Sequence, residues 1–386
     1  MDIEDIHEPT EKEDSMETMT TGKSTPESLA PLNKQGTQHI FRWARKRVAD
    51  GAPLLTLIVL VAFFSLTTDS FLSSINLLNI LAQVSILSIV ATGMTFVLLC
   101  GEIDLSVAAV ATMSGVIAAT LFYANQWPQG IAILVGLVIA GIFGVVTGWG
   151  TTKVGLPSFM MSLVALQVAD GISLFVSKGT INYHIPPFLT HMGSDRLKAY
   201  IGQIPVLGNI NVVILVAVVV LVLGHVVLTY TRFGRYVYMT GSNRIGAEFS
   251  GVNTKLIVGA CMAISGLCAG FGGMLNAGRL GSAQPNSSVT TILLDSITAV
   301  VLGGTALTGG RGGVKNTVIG LLVFGVLSNG LDLIQLDIYI RTLIAGLILL
   351  IALLINNYAL KLRQVVTEAE EAPVLHKAPM KEGSSA

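Results

Sequence analysis

Two carboxylates stand between apolar runs in the segment Gly101-Glu102-Ile103-Asp104-Leu105-Ser106. Ionisable side chains beside a hydrocarbon phase are costly, so they usually face a cavity or a partner. Asp104 or Ser106 can cap the following helix by accepting hydrogen bonds from its free N–H groups. A cap accounts for one acid and leaves Glu102 without a role. The residues alone therefore allow both a packing role and a direct role in a polar pathway.

Further polar residues lie inside two later apolar runs. Gln167, Asp170 and Ser173 recur at intervals of three, which places them on one side of a helix. A polar stripe of this kind favours a water-lined path. Asp295, in the later run, can accept hydrogen bonds from a hydroxyl-rich solute or from a neighbouring helix. The candidates for a solute pathway are Glu102, Asp104, Gln167, Asp170, Ser173 and Asp295.

The pattern of an enzyme, a metal centre or a nucleotide site is missing from the sequence. Cys100, Cys261 and Cys268 have neither the spacing of a zinc site nor that of a disulfide framework. The tetrapeptide Thr21–Ser24 looks like the end of a phosphate loop, but the glycine required before it would fall at Glu17. We expect no catalytic residue, no metal and no cofactor bound by this chain.

Composition indicates which elements position these side chains. Hydrophobic residues make up 52% of the 386 residues and charged residues 12%, about half of the roughly 25% charged residues usual in soluble proteins. Lys plus Arg and Asp plus Glu number 23 each, so no basic field favours a nucleic-acid partner. These values exclude a soluble enzyme and a DNA-binding protein, and they predict a polytopic membrane protein embedded in lipid.

The fold predicted is an all-α polytopic membrane protein of about ten transmembrane helices, because about 20 apolar residues are needed for each crossing. Five helices in each half would make the halves antiparallel, as in the inverted repeats of many transporters. The predicted spans begin near Ala52, Ile75, Leu105, Gly130, Leu156, Asn211, Lys255, Thr291, Val314 and Ile338.

The domain organisation follows from shifts in composition. Residues 1–38 carry nine acidic side chains against three lysines and few apolar ones, so we expect a disordered acidic tail. Residues 39–51 are predicted to form a basic juxtamembrane segment, residues 52–356 the transmembrane domain, and residues 357–386 a cytoplasmic C-terminal tail.

The distribution of Lys and Arg predicts the orientation, since cytoplasmic loops are enriched in both. Five lie on the side opposite the N-terminus: Lys178, Arg196, Lys198, Arg279 and Arg341. Fifteen lie on the side of the N-terminus: Arg42, Arg45, Lys46, Arg47, Lys153, Arg232, Arg235, Arg244, Lys255, Arg311, Lys315, Lys361, Arg363, Lys377 and Lys381. Both termini are therefore predicted to be cytoplasmic.

The predicted cytoplasmic segment Gly241–Val252 has the features of a short helix. Asn243 can cap it, Gly251 can end it, and Ile245 and Phe249 form one apolar side at i and i+4. Such a helix can lie on the bilayer surface or can be a knob for a soluble partner. Arg244 and Glu248, one turn apart, are close enough to pair with each other.

Four stretches identify a family that the chain resembles: the membrane subunits of bacterial ABC importers for ribose, xylose and arabinose. The matching order and spacing run from about Ala52 to Leu353. The stretches are Gly101–Val107, Thr231–Gly251, Arg279–Pro285, and Leu294–Gly310 with Ser328-Asn329-Gly330.

The resemblance implies a permease without its own ATPase, located in the bacterial cytoplasmic (inner) membrane. It implies three partners: a cytoplasmic ATPase that uses ATP, an extracytoplasmic sugar-binding protein, and a second permease subunit in a homodimer. The ATPase would dock on the helix Asn243–Gly251. The residues implied for this coupling are Gly241, Asn243, Arg244, Ala247, Glu248, Ser250 and Gly251.

The chain departs from the family pattern at four positions. Ala108 stands where glycine is usual, Leu293 where an acid is frequent, Ile245 where an acid is common, and Glu248 where an arginine is common. The last two bear on which ATPase fits, and Glu248 is interpreted as an interface contact. Alternatives are a same-family permease for a nucleoside, a quorum signal or an amino acid, and an ion-coupled secondary transporter.

Overall fold

A computed structural model describes residues 34–202, 204, 207–285 and 289–337, and parts of 339–358. The chain divides into two units, Met1–Trp43 and Ala44–Ala386, and the contacts discussed below lie in the second. Of the predicted acidic tail, residues 1–33 lie outside the described residues. The predicted C-terminal tail also lies outside them, apart from Tyr358.

The described residues form α-helices and no named strand. Asn182 and Ala283 form an isolated antiparallel bridge, as do Arg196 and Asn211. A π-helical turn, Gly150–Val154, and a 3-10 turn, Leu207–Asn209, complete the regular structure. The α-helices are α1 Lys34–Thr67, α2 Ser74–Leu99, α3 Val107–Tyr123, α4 Gln129–Trp149, α5 Ser158–Ser177, α6 Pro187–Ser194, α7 Lys198–Ile201, α8 Val212–Tyr230, α9 Arg232–Ser242, α10 Arg244–Phe249, α11 Thr254–Leu280, α12 Val289–Leu302 and α13 Val314–Leu333.

Six of these helices are long and apolar enough to cross a membrane: α2, α4 with its π turn, α5, α8, α11 and α13. Three shorter apolar stretches accompany them in α1, α3 and α12. The all-α polytopic class is thereby confirmed, and the first nine predicted starts fall within two residues of an apolar helical segment. The tenth, near Ile338, falls where the chain is described only in part. The count of ten and the inverted repeat therefore stay predictions.

Helix α2 occupies the centre of the bundle. In its most apolar window 89% of the residues are buried, against 22% in α5 and in α8. The main core surrounds α2 and α3 and takes side chains from α4, α5, α11, α12 and α13. The outer faces of the peripheral helices expose large apolar residues, such as Phe175 on α5, which suits helices whose outer side meets lipid.

Helix α11 lies against α2, α3 and α4, and glycines on these helices allow the close packing. A Cβ at Gly273 would lie 2.0 Å from the carbonyl oxygen of Ala111 on α3. At Gly144 on α4, a Cβ would lie 2.3 Å from the carbonyl oxygen of Met262. Small residues allow helix backbones to approach this closely in a membrane, where dispersion contacts replace the hydrophobic effect between helices.

Two polar pairs join α2 to α13. Asn76 and Asn329, both buried, exchange two amide hydrogen bonds of 2.9 and 3.0 Å between their side chains. Nearer the other end of both helices, the hydroxyls of Thr95 and Thr317 lie 2.7 Å apart. Because each member satisfies the other within an apolar bundle, the two pairs hold these helices in a single register.

We expect Asn76→Ala to lower the free energy of unfolding by about 1–2 kcal/mol, since it leaves the buried amide of Asn329 without its partner. Asn329→Ala should act alike, and the double variant should cost less than the sum of the two. Thermal unfolding of the purified protein in detergent measures this. Asn125→Ala, at an exposed position, is the matched control. Additive effects of the two buried changes would contradict the pairing.

Candidate functional site

The break between α2 and α3 lies against the end of α9 and against residues 303–313, the glycine-rich turn between α12 and α13. The N–H of Gly310 donates to the carbonyl oxygen of Leu99 over 2.9 Å. A Cβ at Gly241 would lie 1.8 Å from that same oxygen, so only glycine fits there. The break and the segments that meet it are called the Glu102 end, which comprises residues 100–106, 150–158, 231–254 and 303–313.

Asp104 is almost fully buried at 1% exposure, and its carboxylate is satisfied by the protein. One oxygen accepts from the backbone N–H and the hydroxyl of Ser106, over 2.9 and 2.6 Å. The other accepts from the hydroxyl of Ser265 on α11 over 2.8 Å. Ser106 is the N-cap residue of α3 but makes no side-chain capping bond. These contacts indicate that Asp104 holds the break onto α11, and its proposed pathway role stays a prediction.

Glu102 forms an ion pair with Arg244, the first residue of α10. Its Oε1 lies 2.9 Å from Nη1 of the arginine, and the two side chains are 11% and 44% exposed. Arg244 thus pairs with Glu102 and not with Glu248, the partner that helical spacing also allowed. The carboxylate of Glu102 is nearly buried, so water competes less for its hydrogen bond with Arg244 than it would at the exposed Glu248. Glu248 instead accepts a hydrogen bond from the hydroxyl of Thr254 at the start of α11.

Charged side chains from four segments surround an open cavity of about 490 Å³ beside this pair. The lining comes from Glu102, the segment from the π turn after α4 to the start of α5, helix α10 and the start of α11. The hydroxyl of Ser158 in this lining accepts from the N–H of Ile103 over 3.2 Å. The charged residues of the lining are Glu102, Lys153, Arg244, Glu248 and Lys255.

Helix α10 forms as the sequence predicted. The side chain of Asn243 accepts from the N–H of Gly246 over 2.8 Å, and Gly251 ends the segment with a φ of +80°. Ala247 is buried on the inner side. Ile245 and Phe249 point away from the bundle, with 68% and 89% of their surface exposed. The helix therefore presents an apolar outer face without a partner in the described chain.

Tyr238 on α9 fixes the glycine-rich turn. Its hydroxyl donates to the carbonyl oxygen of Gly312 over 2.9 Å, and burial raises the pKa of this phenol. Sequence reasoning missed Tyr238, as it missed Thr254 and Ser265. In the sequence each of the three looks like an ordinary helix residue, and its role is visible only from its tertiary contact.

The remaining pathway candidates do not share one environment. On α5, Gln167 is exposed, Asp170 is half-buried and Ser173 is buried. The buried side of α5 consists of small residues, namely Ser158, Ser162, Ala165, Ala169, Ser173 and Ser177. Asp295, on α12, is half-buried, and α5 and α12 both contact α3. The pathway role of these four residues stays a prediction.

Known proteins are similar to most of the chain. A family model described as "Branched-chain amino acid transport system / permease component" matches residues 76–353. The chain is 37% identical to a ribose import permease protein of Haemophilus influenzae over 305 residues, which cover 79% of this chain and 92% of that protein.

Two further relatives have similar coverage. A ribose import permease protein of Bacillus subtilis is 35% identical over 79% of this chain and 92% of its own length. A xylose transport system permease protein of Escherichia coli is 29% identical over 79% of this chain and 90% of its own length. The similarity thus covers nearly all of each relative.

Proposed function

Since the chain belongs to the family of permease components of branched-chain amino acid transport systems, we propose that it is the permease subunit of an ABC importer for a monosaccharide. The solute is a pentose or a related sugar. The observation that carries this choice is the 37% identity across 92% of a ribose import permease. The family description names amino acids, so an amino acid is the second candidate solute.

The chain acts as a transport subunit, and a separate cytoplasmic ATPase hydrolyses the ATP. The sequence has no phosphate loop, and the described residues contain no group of acidic, His and Cys side chains that could hold a metal ion. An extracytoplasmic binding protein delivers the sugar, and a second copy of the chain completes the pathway. Glu102, Asp104, Asp170 and Asp295 are the carboxylates proposed to face the solute at some stage.

In the proposed orientation the Glu102 end is cytoplasmic, as are both termini, in the inner membrane of a bacterium. The excess of Lys and Arg beside this end supports the orientation. Helix α10 then faces the cytoplasm, where an ATPase docks on its apolar face. Ala247 is buried against the bundle while Phe249 is 89% exposed. The inner side of α10 is therefore held by the bundle, and its outer side is available for a partner.

Cysteine labelling measures the orientation. In a background without the three native cysteines, Ser194→Cys should react with an impermeant thiol reagent in intact cells, and Ser242→Cys only after permeabilisation. Both serines are exposed, so accessibility in the protein is matched. The opposite pattern of labelling would reverse the proposed orientation.

Transport by purified components measures the function. In liposomes that hold the chain together with its ATPase, a sugar-binding protein and internal ATP, we expect uphill uptake of labelled D-ribose or D-xylose. The chain alone should give none, even with an imposed proton gradient. Uptake of leucine in place of sugar would support the second solute. Uphill uptake by the chain alone would contradict the ABC mechanism and indicate an ion-coupled transporter.

Substitution on α10 measures the docking. Phe249→Ser should reduce co-purification of the ATPase at least tenfold, because exposed aromatic residues often dominate an interface. Glu248→Arg should also weaken assembly, by stranding a charge across the contact. Leu66→Ser is the matched control, since Leu66 is 88% exposed at the other end of the bundle. Unchanged assembly with both α10 variants would leave α10 as a helix at the membrane surface.

A further inference from the structure

The described polar contacts of α10 divide into local ones and one long-range one. Asn243 bonds to Gly246, and Glu248 bonds to Thr254 six residues later. Only Arg244 reaches a segment distant in sequence, namely Glu102, 142 residues earlier. The local contacts fix the shape of the turn between α9 and α11. The ion pair is thus the polar contact that connects α10 to the break between α2 and α3.

Glu102 lies at the centre of a network that extends into the bundle. Its backbone N–H donates to the carbonyl oxygen of Val97 on α2 over 3.2 Å. Ile103, the next residue, donates to Ser158 at the start of α5 over 3.2 Å. Two residues on, Asp104 accepts from Ser265 in the middle of α11. A displacement of Glu102 therefore acts on three helices, and these include the most buried one, α2.

The two members of the pair differ in their access to water. Glu102 keeps 11% of its side-chain surface exposed, whereas Arg244 keeps 44%. A carboxylate so little hydrated depends on its partner cation, while the guanidinium remains hydrated at the surface. Lys153 and Lys255 line the same cavity, and both are exposed. These lysines are the other cations that line the cavity beside Glu102.

We propose that Arg244 and Glu102 are positioning residues that transmit movement of α10 to the α2–α3 break. ATPase docking on the outer face of α10 pulls or pushes Arg244, and the ion pair carries the displacement to Glu102. The contacts of the break then pass the displacement to α2, α5 and α11. This inference rests on the proposed function, because it assumes that α10 receives the ATPase.

Charge reversal and charge exchange test the pair in the complete transporter. Arg244→Glu and Glu102→Arg should each lower D-ribose uptake per ATP hydrolysed at least tenfold, while the ATPase still co-purifies. The double variant with exchanged charges should recover uptake to within about threefold of wild type. Lys315→Glu is the matched control, an exposed cation on the same side of the bundle but outside the Glu102 end, and should leave the ratio unchanged. A double variant no better than the single ones would overturn the proposal.

A second measurement uses the permease alone and does not depend on the ATPase. Arg244→Gln, Glu102→Gln and their combination form a double-mutant cycle on thermal unfolding in detergent. Non-additive changes in the melting temperature are expected, since either single change strands the other charge. Additive changes would show that the two side chains do not interact and would overturn the proposal. If wild-type permease fails to stimulate any ATPase while the cycle is non-additive, the proposed function fails and the pair stands.

Discussion

Most residues of the break between α2 and α3 are at least partly buried, so its backbone needs hydrogen-bond partners inside the protein. The rest of the Glu102 end is built around that requirement. The carbonyl of Leu99 accepts from Gly310, and the N–H of Ile103 donates to Ser158. The carboxylate of Asp104 accepts a hydrogen bond from the N–H of Ser106. The contact of Leu99 with Gly310 also depends on Gly241, because a Cβ there would lie 1.8 Å from the same carbonyl oxygen.

The elements that meet this requirement were largely predictable. A continuous apolar run of suitable length has one stable form in lipid, so the starts of α2, α4 and α13 could be predicted from hydrophobicity alone. The short helix α10 could be predicted from its caps, since Asn243 and Gly251 have few other uses at that spacing. Both signals are local, and local signals survive in a one-dimensional sequence.

The partners of the candidate residues were not predictable to the same degree. Glu102 and Asp104 were identified correctly as unusual, but their partners, Arg244 and Ser265, lie more than a hundred residues away. The spacing of Arg244 and Glu248 suggested a pair within α10. Arg244 pairs with Glu102 instead, because helical spacing says nothing about a buried carboxylate supplied by another segment. On α5 the spacing of three residues predicted that Gln167, Asp170 and Ser173 share one side of the helix, but it did not predict which of them is buried.

The charges on α10 face two demands at once. Arg244 is held by Glu102 of the membrane domain, and Glu248 accepts a hydrogen bond from the buried Thr254 at the start of α11. The resemblance implies an arginine at the position of Glu248, and an arginine there could not accept that bond. A change at position 248 therefore alters a contact to α11, and a change at position 244 alters how the break between α2 and α3 is held. Phe249, which is 89% exposed, lies on the outer face of α10, where adaptation to the proposed ATPase is least constrained.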